Sequence, residues 1–270
     1  MNITTNGVTY HVKVVGEGEP LVFLHGFTGN MTTWNQITEI LHKSFQCVLI
    51  DIIGHGKTDY PVDYSRYHIE KVAKDISNIL DVLEIPKAHI IGYSMGGRLA
   101  LAVAILFSTR VSSLILESSS PGLRTDEERA ERRKSDEILA NRIEQEGIES
   151  FVTYWEKIPL FASQKKLTKE KQLKIRKQRL ENSPIGLANS LRGMGTGMQP
   201  SYWNRLNEIH FPILLICGEL DKKFCRIAEE MSSSIQNGKL EKIVEAGHAI
   251  HVEQPDIFGK IISEFVSDHF

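Results

Sequence analysis

The sequence predicts an α/β architecture, a mostly parallel central sheet flanked by helices, with a helical cap inserted before the last strands. Three observations predict it. Short apolar runs of β type alternate with helical patterns as far as Glu117, the strand signal then stops from about Leu123 to Leu206, and strands resume towards the C-terminus. Apolar strands alternating with amphipathic helices are the pattern of a sheet covered on both faces.

Taken in order, "GVTYHVKVVGEG" reads as an antiparallel, hairpin-type edge. "LVFLH" (Leu21 to His25), "FQCVLID" (Phe45 to Asp51), "HIIGYS" (His89 to Ser94) and "VSSLILE" (Val111 to Glu117) read as buried strands. After "SSSPGL" the text turns helical and charged, from "TDEERAERRKSDEILANRIEQEG" to the Gly- and Met-rich "LRGMGTGMQPSYWNRL". "PILLICGE" (Pro212 to Glu219) and "LEKIVEA" (Leu240 to Ala246) then restore the strand pattern, and a last helix begins at Pro255. The expected division is a core of 1–122 and 206–270 with a cap insertion of 123–205. No internal repeat or low-complexity tract interrupts it.

Composition narrows the function classes. With 270 residues, 41% hydrophobic and 24% charged, the chain has the make-up of an ordinary globular unit and not of a disordered or fibrous one. The 32 basic and 34 acidic residues leave a net charge of -2, so no global field favours nucleic acid or an anionic membrane. Cys47, Cys217 and Cys225 lack the spacing of a zinc site or a disulfide framework and are expected to be buried thiols. "MNITTNG" lacks an export signal, and no apolar run reaches the ~20 residues of a bilayer span. The expectation is a cytoplasmic chain with no membrane or nucleic-acid partner and of open oligomeric state.

The chemistry concentrates at strand ends. "GYSMG" (Gly92 to Gly96) fits the G-x-S-x-G elbow, lying between an apolar strand and the helix-forming "GRLALAVAILF". Such a turn requires glycine on both sides because the serine backbone is strained and closely packed. Ser94 is the expected nucleophile or base. "HGFTGN" (His25 to Asn30) follows a strand, so that the backbone N–H groups of Phe27 and Met95 can converge on one developing oxyanion. Asp221 in "CGELDKKF" and His248 in "AGHAIHVEQP" follow the two late strands and complete the chain order serine, acid, histidine. His55, in the "GHGKTD" turn, and His251 are expected to be structural.

Arg98 stands four residues after Ser94, one helical turn on. A guanidinium there suits a carboxylate, which it can hold with two hydrogen bonds; the other reading is an ion pair bracing the helix. In the first cap helix Arg132 and Asp136 are one turn apart, on a stripe continued by Leu139 and Ile143, and periodicity leaves ligand and structural roles for Arg132 equally open. Arg124, Arg129 and Arg133 belong to a solvated face.

These motifs resemble the α/β-hydrolase superfamily over the whole chain apart from the cap. "GYSMGGRLAL", "ESSSPGL", the R-x-x-x-D of Arg132 and Asp136, "WEKIPLF", "QRLENSP", "LRGMGTGMQPSYW" and "CGELDKKF" together resemble the 2-succinyl-6-hydroxy-2,4-cyclohexadiene-1-carboxylate synthases (MenH) of menaquinone biosynthesis. The resemblance implies a lyase that eliminates pyruvate from a tricarboxylate enolpyruvyl cyclohexene without metal or organic cofactor. It also implies that Arg98, Arg132 and Arg179 bind carboxylates, that Tyr93 and Trp155 line the site, and that Ser94 serves as a base. Two other readings stay open: a carboxylesterase or C–C hydrolase acting on a small carboxylated substrate through an acylated Ser94, and a non-catalytic receptor on the same fold.

Overall fold

The computed structural model describes residues 1–269. Its sheet has eight strands in the order β1-β2-β4-β3-β5-β6-β7-β8. The edge strands β1 (Asn2–Thr5) and β2 (Val8–Val15) form an antiparallel hairpin, and β2 runs antiparallel to β4; β3 to β8 are parallel. The hairpin turns at Asn6 and Gly7, both at positive φ (47° and 76°), the backbone that a tight two-residue turn between twisted strands needs.

From β3 (Glu19–Leu24) the chain passes through a 3-10 turn and α1 (Asn35–Leu41) to β4 (Phe45–Ile50). It then crosses by α2 (Ile69–Val82) to β5 (Ala88–Tyr93) on the other side of β3. The reversal of direction between β3 and β5 opens a crevice at their C-terminal ends, where ligands of open parallel sheets bind. α3 (Met95–Leu106) and β6 (Val111–Glu117) follow.

Between β6 and β7 come α4 (Asp126–Trp155), a 3-10 segment (Pro159–Lys166), α5 (Lys169–Leu180) and α6 (Pro184–Met194). α4 begins with a capping box, Thr125 accepting from Glu128 N–H while the Glu128 side chain returns the bond. It breaks at Gly147 (φ 78°, ψ 172°), a backbone that only glycine adopts freely, so the "FVTYW" run turns back over the core. The cap has its own apolar centre, with Ile143 and Phe151 of α4 against Leu187 and Leu191 of α6. The chain rejoins the core where Tyr202 N–H and Trp203 Nε1 donate to the carbonyls of Pro121 and Gly122, at 2.8 and 2.9 Å.

β7 (Ile213–Gly218), α7 (Lys222–Ser234), β8 (Gly238–Ile243), α8 (Ile250–Glu253) and α9 (Pro255–Ser267) complete the chain. Strand β8 starts two residues before the apolar run expected at Leu240, because Gly238 and Lys239 already pair with β7. It ends at Ile243, after which Val244 is exposed and Glu245 turns to φ 59°. Alternate residues of the central strands feed two cores. Val22, Leu24 and Ile90 pack with α2 and α3, whereas Leu21, Phe23 and Ile91 pack with α1 and α9. The three cysteines are free and buried. No helix among the described residues is long and apolar enough to cross a membrane.

Candidate active site

The turn at Ser94 is built by close packing. Ser94 sits at φ 52°, ψ -106°, strained for an L-residue by about 1–3 kcal/mol. Its N–H donates to the carbonyl of Glu117 on the adjacent strand at 2.9 Å, which offsets part of that cost. A Cβ on Gly92 would lie 2.4 Å from the Gly96 carbonyl, and one on Gly96 would lie 2.1 Å from that of Leu24. The two glycines of the motif are therefore demanded by contact with β3 and α3.

Three strand-end loops converge here. Ser94 Oγ and His248 Nε2 are 3.0 Å apart, and His248 Nδ1 and Asp221 Oδ2 are 2.7 Å apart. With a carboxylate at Nδ1, that nitrogen carries the proton and Nε2 is free to accept from the serine hydroxyl. Asp221 is fixed twice, since its Oδ1 caps α7 by accepting from Phe224 N–H at 3.2 Å. His248 is buried, with its ring between those of Tyr93 (5.4 Å) and Phe224 (4.7 Å).

Met95 is the first residue of α3, so its N–H is among those that a helix leaves unpaired, at the positive end of the helix dipole. Phe27 lies in the loop after β3, which is shaped by Thr28 at φ 68° and by a Gly29 N–H to Gly26 carbonyl bond of 3.0 Å. Residues of α5 and just after it latch this loop. Asn182 Nδ2 donates to the Thr28 carbonyl at 2.9 Å, its Oδ1 accepts from Gly56 N–H at 3.0 Å, and Gln178 Nε2 donates to Asn30 Oδ1 at 2.9 Å.

Ser94, His248, Phe27 and Met95 open into a cavity of about 620 Å³ whose lining also includes Arg98, Arg132 and Trp155. Arg98 is nearly buried; its Nη1 donates to the Met194 carbonyl and to Gln199 Oε1, both at 2.8 Å. Burial pulls its guanidinium down to about 10, Arg132 beside it pushes the same way, and Asp136 opposes. At that value it stays a cation at neutral pH. Arg132 donates from Nε to Asp136 Oδ1 at 2.8 Å, and Trp155 stacks on Phe151 and meets Phe27 edge-on.

Tyr93 and Arg179 are placed differently from the rest of the expected set. They line a neighbouring pocket of about 40 Å³ that shares Phe27 with the main cavity. Arg179 is buried over the Phe161 ring (4.6 Å), its nearest polar partner being Gln164 Oε1 at 3.4 Å, and burial lowers its pKa. The 3-10 segment brings Phe161, which lines the smaller pocket, into edge contact with Trp155 (5.9 Å) and His248 (6.3 Å) of the main cavity.

Three other histidines near the site, His25, His55 and His251, are brackets. His25 Nδ1 donates to the Gly26 carbonyl while its Nε2 accepts from Ile52 N–H, and His55 Nδ1 donates to the Ile53 carbonyl. Burial pushes His25 down to about 4 and His55, also facing His25, to about 3. His251 Nδ1 and N–H both meet the fully buried Glu117 carboxylate, at 2.8 and 3.0 Å. Asn182, Gln178, Gln199, Phe161 and Glu117 are the site residues that motif reading missed. All five lie inside motifs that carry the family resemblance, "QRLENSP", "LRGMGTGMQPSYW", "WEKIPLF" and "ESSSPGL", but no spacing within those motifs singled them out. Among the described residues no cluster of three or more His, Cys, Asp or Glu could hold a metal ion.

Comparison with known proteins agrees with this geometry. The family model for the alpha/beta hydrolase fold matches residues 19–255. A protein of Bacillus subtilis (strain 168), provisionally named 2-succinyl-6-hydroxy-2,4-cyclohexadiene-1-carboxylate synthase, is 49% identical, the match covering 99% of this chain and 98% of that one. The synthase of that name from Citrobacter koseri is 35% identical over 88% of this chain and 90% of its own. Among solved structures, MenH from S. aureus superposes with a TM-score of 0.92 at 39% identity, covering 96% of this chain and 98% of its own. A thermophilic esterase from Thermogutta terrifontis, malate bound, does so with 0.86 at 26%, covering 100% and 97%. On fold, chain coverage and identity, the chain belongs to the α/β-hydrolase fold family and, within it, to the 2-succinyl-6-hydroxy-2,4-cyclohexadiene-1-carboxylate synthases.

Proposed function

We infer that this chain is a carbon–oxygen lyase of menaquinone biosynthesis, acting in the cytoplasm. It eliminates pyruvate from 2-succinyl-5-enolpyruvyl-6-hydroxy-3-cyclohexene-1-carboxylate to give 2-succinyl-6-hydroxy-2,4-cyclohexadiene-1-carboxylate. The observation that carries the reading is a serine–histidine–aspartate chain that opens into the same cavity as two guanidinium groups, Arg98 and Arg132. A tricarboxylate needs cations, and an elimination needs a base.

In this reading Ser94 Oγ takes the ring proton next to the succinyl ketone as its own proton passes to His248 Nε2. The freed electron pair shifts through the ring alkene and breaks the carbon–oxygen bond to the enolpyruvyl group. Negative charge that builds on the ketone oxygen is met by the N–H groups of Phe27 and Met95. Asp221 holds His248 in the accepting tautomer and stabilises the imidazolium, which returns its proton to the departing pyruvate enolate. Arg98 and Arg132 bind carboxylates in the main cavity, with Trp155 as an apolar wall, and Arg179 and Tyr93 serve the adjoining pocket. Residues 123–205 act as the cap over a core of 1–122 and 206–270.

The test is pyruvate release measured together with diene absorbance. Equal amounts of both, no solvent oxygen in the pyruvate carboxylate, and a primary isotope effect when the abstracted ring hydrogen is deuterium and its removal limits the rate are the expected results. The same triad supports ester hydrolysis, as the esterase neighbour's fold illustrates. A kinetically competent acyl-Ser94 intermediate, with water oxygen entering the product acid, would replace the lyase by that hydrolase.

A further inference from the structure

Arg98 is a buried cation held by two neutral acceptors, the Met194 carbonyl and the Gln199 side chain. A guanidinium has only donors, so the Gln199 atom facing it is the oxygen and the amide nitrogen is turned away. That Nε2 is buried and has no hydrogen-bond partner among the described residues. A buried donor left unmade is unfavourable, and a glutamate at the same position would remove it while setting a carboxylate against the buried charge. Stability on its own gives no reason for an amide here.

The neighbouring charges point to the reason. Asp136, the acid nearest this wall, is engaged with Arg132 Nε at 2.8 Å. Arg98, Arg132 and Asp136 together carry one net positive charge; Asp136 acts on Arg98 through space, but Arg98 is the cation with no carboxylate hydrogen-bonded to it. We propose that Gln199 is a specificity-determining positioning residue: it fixes the Arg98 guanidinium at the cavity wall through a neutral acceptor, leaving it without a hydrogen-bonded protein carboxylate and so open to a substrate carboxylate. The proposal rests on the reading of Arg98 as a carboxylate ligand. It adds that the affinity for an anionic substrate is set by a buried residue outside the cavity lining.

Two nearly isosteric variants test it, Q199E and Q199M. Each is measured for thermal stability without ligand and for KM and kcat in pyruvate release from the enolpyruvyl substrate. Q199E should raise KM by about tenfold or more, since a charge-assisted pair inside the protein then competes with the substrate carboxylate. The same variant should raise Tm, by about 2–4 °C. Q199M, which removes the acceptor and adds no charge, should lower Tm and raise KM less than Q199E does. The opposite directions of stability and affinity in Q199E are what a mere brace would not produce. An unchanged KM in Q199E overturns the proposal, as does a Q199E that is destabilised or unfolded, or a KM that rises in step with lost stability across both variants. If the wild-type protein releases no pyruvate, the lyase reading fails, while the order of Tm still reports whether Arg98 lacks a hydrogen-bonded carboxylate.

Discussion

Asp221→Asn is the substitution whose effect the geometry bounds most tightly. The carboxylate makes two bonds at once, Oδ2 with His248 Nδ1 at 2.7 Å and Oδ1 with Phe224 N–H at 3.2 Å, and an asparagine has only one oxygen to divide between them. If the oxygen caps α7, the amide N–H₂ faces Nδ1, which must then accept. His248 Nε2 carries the proton and can no longer receive one from Ser94. If the oxygen faces Nδ1, the amide points at the Phe224 N–H and the cap is lost, which costs about 0.5–2 kcal/mol plus the penalty of two opposed donors. The first arrangement is therefore favoured, and with it the tautomer that cannot act as a base. In hydrolytic triads the same exchange lowers kcat by about 10⁴, or about 5.5 kcal/mol of barrier, and a loss of about 10³–10⁴ is expected here. Steady-state pyruvate release, with circular dichroism to verify the fold, measures it. A loss below about tenfold would mean that the proton does not travel through His248 Nε2, and would refute the base assignment.

Arg98→Ala should cost about 2–5 kcal/mol in kcat/KM and Arg98→Lys should recover only part of it, because an ammonium lacks the paired geometry; an unaffected kcat/KM would leave Arg98 as a helix brace. Asn182→Asp keeps the acceptor for Gly56 N–H but loses the donor to the Thr28 carbonyl, so kcat should fall by about tenfold or more with KM less affected; equal kcat would show that the loop bearing Phe27 needs no latch from the cap. His25 and His55 fold neutral, pulled to about 4 and about 3, and both return to about 6.5 when unfolded. The unfolded chain then binds more protons below pH ~6.5, so stability should fall as pH drops from there through the folded values, by up to about 1.4 kcal/mol per pH unit for each histidine. Urea unfolding across that range measures the slope, and a flat profile would contradict it.

The parallel sheet and the serine–histidine–aspartate chain were legible because strands, elbows and chain order are local signals. Gly92, Ser94 and Gly96 lie within one turn, and Asp221 and His248 each follow a strong apolar strand. Arg98 was legible from its spacing after Ser94. The segment between β6 and β7 was legible as helix but not as arrangement. Gly147 breaks α4 inside a continuous helical pattern, and nothing in periodicity announces that Phe161 returns to meet His248 edge-on or that Arg179 and Tyr93 occupy a pocket of their own. The contacts of Asn182 and Gln199 were illegible for a related reason, although both residues lie inside motifs that carry the family resemblance. Each is a neutral side chain whose partners, Thr28 and Arg98, lie 154 and 101 residues away, and hydrogen bonds of that span leave no pattern in a linear text.

Glu117 closes the molecule's geometry from the core side. Its carbonyl holds Ser94 N–H and its carboxylate holds His251, three residues beyond His248, so one residue on β6 ties together two loops that are 154 positions apart in the chain. Residues 123–205 follow this strand and make none of these bonds at Glu117, although Ser163 Oγ adds a separate tie to the His248 loop through Glu253, whose carboxylate accepts from Gly247 N–H. Serine and imidazole are thus referenced to a common anchor in the sheet, and the inserted segment can be rebuilt around a different substrate without altering that anchor. A lineage that changes what it binds while keeping how it moves a proton needs this separation of duties, with the reaction geometry keyed to the rigid sheet and the recognition surface left free to drift.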